Sequence, residues 1–359
     1  MKNSKNIIIT ILFSAILIVI FIVNLVLEDK NISLSERRKL TQFPELKWET
    51  IADGSFSKKF EEYTSDQFAQ RDFFRKIKSF WSIKFYGRLD DNGYFEKDSA
   101  IYKMEYPLKE SNVKRNTDII NNIYNKYLSE LDVYYSIIPE KNYYLKDDDH
   151  LLMNYSKIEE IMNNKLKDMT YINIFDSLTI DDYYKTDIHW KQENLDQVVK
   201  KINTTMGIEN VSHDYKKEHV GEFFGTYYGQ IPGDIKPDEM YIMTSDTLKK
   251  FTTYNYETNK ENKVYDMTNT NDKYDIYLSG ATPLIRIDNP VSKTNKELIM
   301  FRDSFGSSLA PLLVESYKTI TLVDLRYINS SILDKYINFE NQDVLFIYNS
   351  LILNQNVLK

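Results

Sequence analysis

The chain has 359 residues, no cysteine, and 46 basic against 53 acidic side chains, a formal net charge of −7. Without cysteine there is no disulfide framework, no thiolate chemistry and no zinc site built on cysteine. Interspersed charges with a slight acidic excess argue against nucleic acid as the main partner.

Residues 7–27 form a run of 21 residues with no charge, interrupted only by Thr10, Ser14 and Asn24. At about 1.5 Å per residue such a run crosses a hydrocarbon core of roughly 30 Å, so it predicts a membrane-spanning helix. Lys2 and Lys5 precede it, Glu28 and Asp29 follow it, and the positive-inside rule then sends the rest of the chain outside the cell membrane. A cleaved signal peptide is the competing reading. The run is longer than a usual signal core and no small-x-small site follows it, which favours an uncleaved single-pass anchor. Residues 31–44 read as a linker ending at Pro44. Residues 53–86 read as helical, with Phe56, Phe60, Tyr63, Phe68, Phe73, Phe74, Ile77 and Trp81 near helical spacing and expected to form packing faces. Asp91-Asn92-Gly93 is a turn signal ahead of a short hairpin over residues 94–102.

From residue 111 the pattern alternates between helix and strand. Helices are expected over residues 113–128, 155–169 and 195–206 and around 331–337, and strands over residues 133–138, 171–175, 298–301, 320–323 and 344–348. Five such strands make an α/β fold, an open, mostly parallel sheet with flanking helices. Residues 208–296 break the alternation and read as a β-rich insertion, with short strands at 241–243, 263–267, 274–278 and 284–287. That insertion forms either a lid or groove wall or a structural elaboration. The expected organisation is a cytoplasmic tip and anchor over 1–30, a linker and helical region over 31–110, and the α/β domain over 111–359.

Chemistry concentrates at two places. Residues 298–301 read as a buried strand, 302–308 as a turn, and Leu309, Leu312 and Leu313 as a helix face with Pro311 in the first turn. Ser304 then lies at a strand end facing a helix N-terminus, where unpaired N–H groups and the helix dipole stabilise a nearby oxyanion. The second place is the loop TDIHW, which puts Asp187 and His189 two residues apart before a helix. A serine hydroxyl needs a base to remove its proton, and the base works best when a carboxylate fixes its tautomer. Ser304, His189 and Asp187 complete that set, and the bland alternatives are a polar turn, a core histidine and a helix cap. Asp147, Asp148, Asp149 and His150 read as a solvated loop in preference to a cation site. His213 and His219 read as surface or packing residues and residues 221–233, with four glycines, as a mobile loop. No metal site and no nucleotide cofactor is indicated.

TDIHW paired with RDSFGSSLAP resembles the DHHW protein family and the related alginate O-acetylation proteins, whose domains resemble SGNH hydrolases. The likeness extends to the anchor, to SERRKLTQFPE, to DGSFSKKFEEYTSDQFAQRDFFR and to VDLRYI. It implies Ser304 as nucleophile, His189 as base and Asp187 as acid, with Ser304 and, by analogy, Asn349 contributing to an oxyanion site. It also implies O-acetyl transfer or acetyl-ester hydrolysis on a cell-surface or secreted polysaccharide. A membrane-bound O-acyltransferase would be the partner that supplies acetyl groups. Ile188 stands where the family name has its first histidine, and Arg302 where ordinary GDS blocks have glycine. A non-catalytic organiser that binds polysaccharide or the acyltransferase is the alternative reading.

Overall fold

The computed structural model describes residues 2–33, 38–88, 90–145, 149–208, 214–231, 233–268 and 272–359. Its contacts divide the chain into two units, Met1–Asp91 with Tyr228–Asp234, and Asn92–Tyr227 with Ile235–Lys359.

The first unit begins with α1, Lys2–Val26, and among the described residues only this helix is long and apolar enough to cross a membrane. Its leucine, isoleucine, valine and phenylalanine side chains are exposed, apart from half-buried Ile20. Three further helices follow, α2 (Trp48–Ala52), α3 (Ser55–Asp66) and α4 (Arg71–Phe80), and α4 widens into a π-type turn, Trp81–Phe85. The aromatic spacing does produce helices here, but it does not produce a core. Phe60, Phe68, Phe73, Phe74, Ile77 and Trp81 are exposed, and only Phe56 and Tyr63 of the set are half-buried. The expectation of packing faces is therefore corrected in part: Phe43 packs against Phe60 and Tyr63, while the large apolar side chains from Phe68 to Trp81 stay exposed among the described residues.

The second unit is built on one eight-stranded sheet. Its strand order is Lys260–Lys263, Thr252–Asn255, Leu284–Asp288, Thr319–Val323, Glu297–Arg302, Asp343–Asn349, Val133–Ile138 and Thr170–Tyr171. The last five run parallel, and they are the five strands expected from the sequence. The first three come from the insertion and add antiparallel to the Thr319–Val323 edge. Continuous apolar runs suit a sheet covered on both faces. Successive residues indeed enter opposite cores: Leu298, Met300, Leu345 and Ile347 on one side, Ile299, Phe301, Val344 and Phe346 on the other. Helices α5 (Glu110–Ile123), α6 (Tyr155–Lys165), α7 (Asp196–Thr205) and α8 (Phe305–Leu313) supply the flanking layers.

Some boundaries move. The strand expected over residues 171–175 is only Thr170–Tyr171, after which Phe175–Ser177 closes a 3-10 turn. The helix expected at 331–337 is the 3-10 segment Ser330–Lys335. Within the insertion, residues 274–278 are not a strand. Lys273–Ile276 form a 3-10 turn, and Tyr277 makes an isolated bridge to Tyr265. A separate hairpin pairs Lys216–Phe223 with Asp238–Thr244, and another pairs Tyr94–Lys97 with Ala100–Lys103.

Phe301 and Phe346 face each other across two parallel strands, their rings stacked at 4.3 Å and 8°. Replacing a fully buried phenylalanine by alanine leaves a cavity and costs about 3–5 kcal/mol. Phe301→Ala is expected to lower unfolding stability by that amount, read from the denaturant midpoint of the second unit's transition at unchanged slope.

Candidate active site

Parallel strands of an open α/β sheet gather loops at their C-terminal ends, and ligands bind there. Three such ends meet in this chain: Ile138, Arg302 and Asn349. After Arg302 the chain breaks for only two residues, Asp303 and Ser304, before α8 starts at Phe305. The longer turn to Ser308 is corrected, and its cause is Asp303. Its carboxylate accepts the Phe305 N–H at 3.0 Å and the Asn349 N–H at 2.6 Å, so it caps the helix early and ties it to the neighbouring strand. Pro311 consequently falls inside α8 and not in its first turn, where it withholds one N–H shortly before the helix ends at Leu313. Gly306 is required by the tight strand-to-helix approach, since a Cβ there would lie 2.6 Å from Arg302 Cβ.

Ser304 is half-buried, and its Oγ lies 2.7 Å from His189 Nε2. His189 Nδ1 lies 2.5 Å from Asp187 Oδ1. The tautomer follows from the partners: a carboxylate can only accept, so Nδ1 carries the proton and Nε2 is left to accept from the serine hydroxyl. Asp187 is fully buried, and both its carboxylate oxygens accept from donors. Oδ1 also accepts the His189 backbone N–H at 3.0 Å, and Oδ2 accepts the Thr226 N–H at 2.7 Å and the Thr226 hydroxyl at 3.1 Å. The imidazole is held between rings, stacked on Tyr274 at 3.7 Å and 10° and tilted against Phe305 at 4.8 Å. Tyr274 OH and Trp190 Nε1 both reach Ser308 Oγ at 2.9 Å, which pins the histidine loop, the insertion and α8 to one hydroxyl.

Lys141 underpins the loop from below. It is buried, and its Nζ donates to the carbonyls of Tyr184 at 2.9 Å, Lys185 at 3.2 Å and Asp187 at 2.8 Å. Burial pushes its ammonium down to about 8, against the pull of the neighbouring Glu140 carboxylate. Glu140 is itself buried and accepts from Tyr227 OH and the Asn142 N–H, each at 2.6 Å. Burial raises its pKa above the ordinary carboxylate value. Arg302 does not face the Asp303 carboxylate; its nearest acid is Asp324 at 3.5 Å. Asn349 caps the last helix by accepting the Leu351 N–H at 2.9 Å and turns its amide to the Ile138 carbonyl at 3.3 Å. Among the described residues the Ser304 backbone N–H has no acceptor.

The structure thus brings Ser304, His189 and Asp187 together and gives Asn349 a capping role. Gly225, Thr226, Tyr274, Ser308 and Lys141 went unnoticed in the sequence, and no local signal marks any of them. The glycine-rich stretch, read as a mobile loop, contains strand residues to Phe223 and then supplies Thr226 to Asp187. Asp147, Asp148 and His213 lie outside the described residues. His150 stacks on Phe95 at 3.6 Å, and exposed His219 pairs with Glu239 at 2.5 Å. Among the described residues no group of three or more His, Cys, Asp or Glu is placed to hold a metal ion.

The fold is shared with solved structures of a DHHW family protein and of PatB1. The chain is similar to a DHHW family protein from Eubacterium siraeum, with 19% identity and a TM-score of 0.60 over 74% of this chain and 93% of that one. It is also similar to Bacillus cereus PatB1, with 20% identity and a TM-score of 0.57 over 74% of this chain and 98% of that one. The O-acetyltransferase domain of Pseudomonas putida AlgJ aligns at 10% identity and a TM-score of 0.45, over 73% and 92%. No family model matches the chain. No curated protein matches it either.

Two outcomes follow from this geometry. A Cβ built at Gly225 would collide with the side chain and backbone of Asp187. Gly225→Ala is expected to displace the acid and lower turnover of a small acetyl ester about 100-fold, the usual consequence of misplacing a group by about 1 Å, with the circular dichroism spectrum unchanged. The second concerns pH. Unfolded lysine keeps its ordinary value of 10.5, so between about 8 and 10.5 the unfolded chain binds more protons and rising pH favours the folded state through this group. Neutral Lys141 nevertheless has one N–H too few for its three carbonyls. Turnover is expected to fall along an alkaline limb centred near pH 8, measured as kcat/KM for the ester. A flat profile across that range would refute the assignment.

Proposed function

We propose that this chain is a membrane-anchored, extracellular SGNH hydrolase-like O-acetyltransferase or acetylesterase that acts on a cell-surface or secreted polysaccharide through an acetyl-serine intermediate. The observation that carries the proposal is the continuous hydrogen-bonded line from Ser304 Oγ through His189 to Asp187, at 2.7 Å and 2.5 Å. In this reading His189 Nε2 takes the Ser304 proton as Oγ attacks the acetyl carbonyl carbon. The proton then passes from Nε2 to the departing oxygen of the donor, leaving acetyl on Ser304. A sugar hydroxyl gives its proton to the same nitrogen, attacks the acetyl carbon, and leaves with the group while Ser304 recovers its proton. Asp187 holds the tautomer and the charged ring throughout. The Ser304 N–H at the start of α8 is the donor we assign to the oxyanion. Asn349 gives one amide N–H to the Ile138 carbonyl and would join it through the other.

Residues 7–27 serve in this reading as an uncleaved anchor with the short N-terminus in the cytoplasm. A membrane-bound O-acyltransferase in the same bilayer would then supply the acetyl donor.

The test is the mass of the purified full-length chain after incubation with an activated acetyl ester, beside Ser304→Ala and His189→Ala. One added acetyl group on Ser304, absent from both variants, is the expected result. Turnover should drop about 10⁴-fold or more in each variant. Passage of the label to an offered polysaccharide identifies a transferase, and release to water alone an esterase. A folded chain that binds polymer, takes no acetyl and turns nothing over would replace this reading by the non-catalytic organiser.

A further inference from the structure

Helix α4 and the π-type turn after it point their apolar side chains away from their own unit. Phe73 is 56% exposed, Phe80 59% and Phe85 64%, and Phe74, Ile77 and Trp81 are exposed with them. Phe73, Phe74, Ile77, Phe80 and Trp81 fall at i, i+1, i+4, i+7 and i+8, a single helical face. Ser79 and Ser82 lie on the other face and are buried. Lys76 and Lys78 stand at the two margins of the apolar arc, on either side of Ile77. A contiguous patch of large apolar side chains of this kind marks a contact surface.

The place of this helix within its unit identifies what it contacts. The Ala69 N–H donates to Asn24 Oδ1 at 2.7 Å, and Asn24 belongs to the last turn of α1. The Lys30 N–H donates to Gln67 Oε1 and Gln67 Nε2 donates back to the Lys30 carbonyl, both at 2.9 Å. Tyr63 OH donates to Asp29 Oδ1 at 3.1 Å. The chain before α4 is therefore bonded to the last turn of α1 and to Asp29 and Lys30 just beyond it. At about 1.5 Å per residue, Asn24 lies about 4–5 Å inside the end of the apolar run at Leu27. Gln70, in the left-handed region at φ +58°, then turns the chain into α4 two residues after the bonded Ala69.

We propose that α4 and the Trp81–Phe85 turn lie in the outer leaflet's interface, with the aromatic face at the boundary between headgroups and acyl chains. This makes a second membrane contact beside the spanning helix, and it rests on the reading of α1 as an anchor. The side-chain chemistry fits a lipid surface. Phenylalanine and tryptophan favour the interfacial layer, and a lysine at the margin of an apolar arc, as Lys76 is, lays its stem along it and presents its ammonium to lipid phosphates, while Lys78 Nζ is held by Asp91 at 3.0 Å. A protein partner or a second copy would also cover the face. Neither would account for the face starting at the depth where the spanning helix leaves the bilayer.

The chain has no cysteine, so single cysteines label it cleanly. The experiment places nitroxide labels on Phe73→Cys and Phe80→Cys in the full-length chain, reconstituted in phosphatidylcholine–phosphatidylglycerol vesicles. Ile16→Cys serves as the reference inside the span and Lys114→Cys as the reference in water. The readout is the ratio of collision with oxygen to collision with a water-soluble nickel chelate. The expected ratio at Phe73→Cys and Phe80→Cys is several-fold above Lys114→Cys and below Ile16→Cys. A ratio equal to that of Lys114→Cys overturns the proposal, and so does exclusion of both reagents, which would mean cover by protein. A water-like ratio at Ile16→Cys would sink the anchor reading itself, whereas lipid contact at Ile16→Cys with water at Phe80→Cys would sink only the interfacial helix.

Discussion

The site depends on keeping one ionised carboxylate out of water. A buried charge without partners is strongly unfavourable, so Asp187 stays in place only because donors surround it. Two come from His189, its ring nitrogen and its backbone N–H, and two from Thr226. The segment bearing Asp187 is satisfied in turn from elsewhere. Lys141 takes three of its carbonyls, and the Asp238 carboxylate accepts the Lys185 N–H at 2.8 Å, the Thr186 N–H at 2.8 Å and the Thr186 hydroxyl at 2.6 Å. The irregular backbone around Asp187 is thereby held by hydrogen bonds from several elements. That is what allows a loop to hold an imidazole in one orientation.

Topology does the remaining placement. His189 and Ser304 are 115 residues apart in sequence. The parallel strands ending at Ile138, Arg302 and Asn349 bring their following loops to one edge, and Asp303 bonds across two of those ends. The insertion takes part directly. It extends the far edge of the sheet, and through Tyr274 it covers one face of the imidazole while hydrogen-bonding to Ser308 of α8. Of the two roles open to it in the sequence, wall or elaboration, the Tyr274 contact fits a wall.

The parallel strands were legible because burial on both faces writes a continuous apolar run, and each was short and bounded by turn residues. The serine turn was legible in kind but not in extent. Whether helix begins at Phe305 or four residues later depends on where the Asp303 carboxylate points, and that is decided by the Asn349 N–H of a strand more than 40 residues on. Lys141 and Glu140 were illegible for a different reason. A Glu-Lys pair after a strand reads as solvated surface, and only the fold shows it enclosed. Residues 56–81 make the sharpest case. A 3.6-residue period records which face of a helix avoids water; it does not record whether protein or lipid receives that face.

Under the proposed function, transfer and hydrolysis, which no local motif separates, reduce to one mechanism at two occupancies. In that proposal acetyl-Ser304 would be attacked by whatever hydroxyl His189 could deprotonate, and a well-oriented bound nucleophile behaves as though present at about 10⁵–10⁸ M. No concentration of water competes with that, so a groove that orients a sugar hydroxyl favours transfer even where Ser304 remains half-open to solvent. Without a bound sugar, the same oriented base would serve water. In that reading the balance would be set by whatever residues hold sugar beside Ser304, and the hydrogen-bonded line itself would be indifferent to it.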